Sequence, residues 1–161
     1  MSAVAPTQSI AMRLITDIMT RDEAGIIART SKNIVFTTAH DGGQPVVKEG
    51  QFAYLESIRH LWQAMVSCRY SSFEYGQFTP TSGNLGFSHI CEVKKGEEKV
   101  FMYSEGNQTF TFADGVITAL RIVETDTFLT PEQCVSTIAK IIDQKSKIAK
   151  ITDATGTCVI S

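Results

Sequence analysis

Residues 108–124 read QTFTFADGVITALRIVE, and this stretch decides the fold class. An aromatic run carrying Phe110 and Phe112 enters the pair Asp114-Gly115, and an apolar run from Val116 to Val123 leaves it. Asp-Gly between two alternating runs is a strong hairpin signal, because glycine takes positive φ without a Cβ clash. The hairpin implies an antiparallel sheet. Helical patterns lie upstream and long strand patterns surround it, so the chain reads as α+β.

Upstream, Ile10, Leu14, Ile15, Ile18 and Met19 recur at helical spacing. They predict a helix over 8–19 behind a loose arm of residues 1–7. Thr20-Arg21-Asp22-Glu23 has the pattern of a capping box, predicting a short helix over 21–29. Residues 31–39 read as a strand ended by the turn His40-Asp41-Gly42-Gly43. Residues 44–50 lead into a helix over 51–66, with Phe52, Leu55, Ile58, Leu61, Trp62 and Met65 on its apolar stripe. Strands follow over 68–78, 85–94, 99–112 and 116–125, with a bulge expected at Gly106-Asn107. Thr130-Pro131-Glu132-Gln133 is a helix start, with Thr as cap and Pro at the first position. The organisation is an arm (1–7), one domain (8–126) and a C-terminal helix with its tail (127–161).

A chain of 161 residues, 43% apolar and 20% charged, can bury a full core as one domain. A net charge of −2 gives no nucleic-acid surface. Lys140, Lys145, Lys147 and Lys150 cluster late, but Asp143 interrupts them, as on a solvated helix face. The four cysteines show no C-x-x-C spacing, and three dispersed histidines give no dedicated metal motif. No leader or bilayer-length apolar run is visible, so a cytoplasmic protein with reduced thiols is expected.

The order of helices and strands resembles the NTF2-like superfamily, with SnoaL-like members as the nearest likeness. The residues that carry the resemblance are Asn33-Ile34-Val35-Phe36, Lys48-Glu49-Gly50 followed by Phe52-Ala53-Tyr54-Leu55, and Phe112-Ala113-Asp114-Gly115-Val116-Ile117. The resemblance implies a cone, in which a curved antiparallel sheet wraps the N-terminal helices around an apolar pocket. The C-terminal helix is additional to it. It also implies a homodimer packed through the sheet. Members include isomerases, cyclases, dehydratases and epoxide hydrolases, usually without a cofactor, beside others that only bind or assemble.

A cofactor-free pocket works by general acid–base catalysis, with donors that stabilise an oxyanion. The expected substrate is an apolar polyketide- or terpenoid-like molecule. His89 is the first catalytic candidate, set between Phe87 and Cys91 on an alternating strand. Imidazole titrates nearest neutrality, which suits proton transfer. Tyr75 and Glu74 are further catalytic candidates. Glu74 enters the cone only if its neighbours Phe73 and Tyr75 face outward. Tyr54, Trp62, Tyr70, Phe87 and Tyr103 are the substrate-binding candidates, since aromatic rings suit an apolar cavity and phenols suit an oxyanion. His40 and Asp41 read as a polar turn.

No Walker loop, His-Glu-x-x-His or Gly-x-Ser-x-Gly occurs, so neither a nucleotide, a metal nor a serine nucleophile is expected. The chain ends Cys158-Val159-Ile160-Ser161, a C-a-a-X pattern of the farnesyl type. A single prenyl group at Cys158 would give marginal membrane binding, and no other membrane contact is expected. The alternative to an enzyme is a non-catalytic binding or assembly module.

Overall fold

The computed structural model describes residues 4–155, with side chains described through residue 143. Cys158 and the rest of the C-a-a-X pattern lie outside the described residues. The order is α1 (Pro6–Met19), α2 (Glu23–Arg29), β1 (Thr30–His40), β2 (Val46–Glu49), α3 (Gln51–Ala64), β3 (Met65–Phe78), β4 (Ser82–Lys95), β5 (Glu98–Ala113), β6 (Val116–Leu129) and α4 (Pro131–Thr155). The helix α1 begins at Pro6, so the arm is shorter than the expected seven residues. Proline suits that first turn because its missing N–H has no partner to lose there.

The expected capping box does not form. The Thr20 hydroxyl donates back to Thr16 O at 2.8 Å, inside α1. Arg21 takes a φ of 58°, which ends α1 and delays the next helix. Asp22 then caps α2, accepting from Gly25 N–H at 3.0 Å. Glu23 instead pairs with Arg59 of α3. The start of α4 is as read: Gln133 N–H donates to Thr130 Oγ1, and Thr130 N–H donates to Gln133 Oε1.

The six strands form one curved, unclosed sheet in the order β2-β1-β6-β5-β4-β3. It is mixed rather than wholly antiparallel, because β1 pairs with β6 in parallel. The whole of β2–β5 and α3 forms the long crossover a parallel pair needs. The lead-in to α3 contains β2, an exposed edge strand held to β1 through backbone pairing. The 116–123 run is β6, which continues to Leu129, past the expected domain end at residue 126.

Pairing is unbroken through Gly106-Asn107, so the expected bulge is absent there. The irregularity between β5 and β6 lies at Thr111/Phe112 instead. Gly106 has another use: a Cβ there would stand 2.0 Å from Val123 O. Glycine lets the β6 backbone approach β5 there.

Helices α1, α2 and α3 cover part of the concave face. Leu14, Ile26, Ile34, Leu85, Phe110 and Ile117 are fully buried between them and the sheet. The buried stripe of α3 is Tyr54, Leu55 and Ile58, whereas Phe52 is 69% exposed and Leu61 is also exposed. Asp17 of α1 is buried and pairs with Arg29 Nε at 2.8 Å. A Cβ at Gly25 would meet the Asp17 carboxylate at 2.5 Å, so glycine makes room for this clasp. Among the described residues no helix is long and apolar enough to cross a membrane.

Candidate functional site

Directly paired strand residues project to the same face of a sheet. Register places His40 opposite Glu124, Asp126 opposite Ser104, Ser104 opposite His89, and His89 opposite Ser71. Leu120, Ile122, Glu124 and Asp126 share one face of β6 by period two, and Leu120 belongs to the core. Leu85, Phe87 and His89 share the core face of β4 in the same way. A polar row therefore crosses the concave face from β1 to β3, beyond the end that the apolar core fills.

Hydrogen bonds join much of this row. His40 Nδ1 lies 3.0 Å from Glu124 Oε1 and 3.2 Å from Asp126 Oδ2. Ser104 Oγ donates to Asp126 Oδ1 at 2.6 Å, and Ser104 is buried. Burial, and then the neighbouring Asp126 charge, push the Glu124 carboxyl above its usual range, with His40 partly opposing them. Asp41 secures the end of β1: its N–H donates to Glu124 O at 2.9 Å, and its carboxylate accepts from Asp126 N–H at 3.0 Å. Its φ of 52° makes the turn that allows both contacts.

At the other end of the row, His89 is half-buried. Its ring stacks on Phe87 at 5.1 Å and meets Phe73 edge-on at 5.2 Å. Its Nδ1 is 2.9 Å from Ser71 Oγ. Burial lowers its pKa below the usual 6.5, so the ring is neutral at pH 7. When Nδ1–H donates to Ser71, Nε2 carries the lone pair and can accept a proton.

The other candidates divide between the two faces. Tyr75 and Phe73 pack against the core on the concave face. Glu74 is consequently on the opposite face, and no single site holds both it and His89. Tyr70, Glu74 and Tyr103 line a half-open cavity of about 620 Å³ on that outer face, with Ser72, Ser88 and Ile141 of α4. Tyr103 donates to Glu105 Oε2 at 2.9 Å; burial first, and then Glu105, push its phenol up to about 12. Tyr54 is buried against Phe36, with ring centroids 5.2 Å apart, and burial raises its pKa. Trp62 packs on the core and donates from Nε1 to Ile18 O at 2.9 Å.

The group His40, Glu124 and Asp126 was not legible as a site, since His40 read as part of a turn and Asp126 fell beyond the expected strand end. The available signal was the alternation Leu120, Ile122, Glu124, Asp126, which carries two carboxylates onto a core-facing strand face.

No protein-family model matches this sequence, and no curated protein matches it. Solved structures do. An NTF2-like protein from Burkholderia xenovorans superposes with a TM-score of 0.57 at 11% identity, covering 76% of this chain and 91% of its own. A candidate SnoaL-like polyketide cyclase from Mesorhizobium loti gives 0.50 at 19%, covering 72% and 97%. The epoxide hydrolase/cyclase-like enzyme SalBIII, with a role in pyran ring formation in the polyether salinomycin, gives 0.55 at 16%, covering 73% and 88%. At such identities the likeness establishes architecture alone. This chain has the NTF2-like fold, shared with SnoaL-like proteins.

Proposed function

We propose that this chain is an enzyme of the isomerase, cyclase or dehydratase type. It would act by general acid–base catalysis on an apolar polyketide- or terpenoid-like small molecule at the concave face. The observation that carries this reading is His89, a neutral imidazole set between two aromatic rings and oriented by Ser71. An unprotonated imidazole in an apolar setting suits proton abstraction or activation of water. Phe87 and Phe73 supply flat apolar contact, and Tyr75, whose phenol burial keeps protonated, supplies a donor on the same face. The proton transfer assigned to His89 calls for no cofactor. The cyclase and epoxide hydrolase/cyclase names among the structural neighbours support the reaction class.

The test is a panel of epoxide, enone and linear polyketide substrates, read by mass spectrometry and NMR for isomerised, cyclised or dehydrated product. Product from the wild type, lost in folded His89→Gln, supports the reading. Undiminished turnover in that variant would remove His89 from the chemistry.

A second reading is a binding or assembly module without turnover, acting as a homodimer through the sheet. The 620 Å³ cavity under α4 favours it, because that space lies on the outer face and not beside His89. Sedimentation of the full chain and of a chain ending before α4 tests it. A dimer or ligand complex lost with α4 supports it, and a monomer that binds nothing contradicts it.

A further inference from the structure

We propose that His40, Glu124 and Asp126 form a binding site for a divalent transition cation of the Zn²⁺ class. The inference goes beyond the proton transfer assigned to His89 and does not depend on it. Glu124 and Asp126 stand at i and i+2 of β6, so both carboxylates leave the same face. His40, directly opposite Glu124 on β1, brings an imidazole nitrogen to them. The three ligand atoms lie within 4.8 Å of one another.

The spacing suits coordination. Ligands about 2.0–2.2 Å from a metal are about 2.8–3.1 Å apart in octahedral geometry and about 3.3–3.6 Å apart in tetrahedral geometry. His40 Nδ1 is 3.0 Å from Glu124 Oε1 and 3.2 Å from Asp126 Oδ2. One neutral imidazole and two carboxylates balance a charge of +2. An imidazole with two oxygens selects first-row transition ions over Ca²⁺ and Mg²⁺, which take oxygen alone.

Outer contacts of the kind that orient metal ligands are in place. Ser104 donates to the Asp126 oxygen that does not face His40. Asp41 holds the Asp126 and Glu124 backbone, and so fixes β1 against β6 at the site. The His40 side chain is 52% exposed, which leaves room for water or an oxygen ligand at the remaining positions.

The experiment titrates Co²⁺ into the full-length protein and follows its visible absorption. Wild type, His40→Ala and Glu124→Gln are compared with His60→Ala, which removes an exposed histidine of α3. The expected result is saturable 1:1 binding with no thiolate charge-transfer band. Affinity should fall at least tenfold in His40→Ala and Glu124→Gln and stay unchanged in His60→Ala. Three results would each overturn the site: no saturable binding, equal affinity in wild type and His40→Ala, or a thiolate band that assigns the ion to the cysteines. The first would leave the three side chains as a hydrogen-bonded cluster. None of these readouts depends on turnover, so the site and the reaction can fail separately.

Discussion

The two ends of the concave face differ in composition and in burial. At one end Leu85, Phe110, Ile117 and Ile34 are fully buried against the helices. At the other, the same strands present His89, bonded to Ser71, and the group Ser104, Glu124, Asp126 and His40, linked by short polar contacts. Strands β4, β5 and β6 run through both, so backbone pairing does not separate them. Side chains do: the apolar end supplies burial, while the polar end holds titratable groups that a core would exclude. Stability and chemistry should therefore respond to different substitutions.

The largest effect belongs to the apolar end. Phe110→Ala should cost about 3–5 kcal/mol, because a fully buried ring leaves a cavity beside Phe78 and Phe112. Urea denaturation measures it, and a loss below about 1 kcal/mol would show that the packed end is not where stability resides. At the polar end, folded His89→Gln should lower kcat by about 10²-fold or more, with a much smaller change in urea midpoint.

Asp17→Ala comes next, at about 1–3 kcal/mol, since it strands Arg29 beside a buried helix junction. The Arg29 side is partly solvated, which keeps the loss below that of a wholly buried pair. An unchanged midpoint would show that the clasp is a bystander. A smaller effect is pH-dependent. His89 has a lowered folded-state pKa, so the unfolded chain binds more protons as pH falls past 6.5. Its contribution is complete above 6.5 and is lost as pH falls through the folded value. Denaturation from pH 7.5 to 5 should show a shallower decline in His89→Gln than in wild type; parallel curves would contradict the assignment.

The fold was readable because its signals are local. Asp114-Gly115, Thr130-Pro131 and the periodicity of Leu14, Ile15 and Ile18 each act over a few residues. The parallel pairing of β1 with β6 was hidden because β2 to β5 separate the partners. Thr20 misled as a cap because Arg21 turned the chain first. For the site, alternation along β4 gave His89 its aromatic neighbours, and Phe73 and Tyr75, once inside, sent Glu74 outside. His40 and Asp126 are 86 positions apart, and only register brings them together. Tyr70 and Tyr103 fell on the outer face for the same reason: composition marks an aromatic, but pairing decides which side it serves.

The function proposed above rests on a desolvated, neutral imidazole, His89, at the polar end of the concave face. Its direct test is an NMR titration of the histidine rings in the folded protein, with the His89 resonance identified by its loss in His89→Gln. The expected His89 midpoint is below 6.5, with a neutral ring at pH 7. A midpoint above 6.5 would contradict the desolvation, and one above 7 would mean a ring that keeps its proton at pH 7, which contradicts the base assigned to this face.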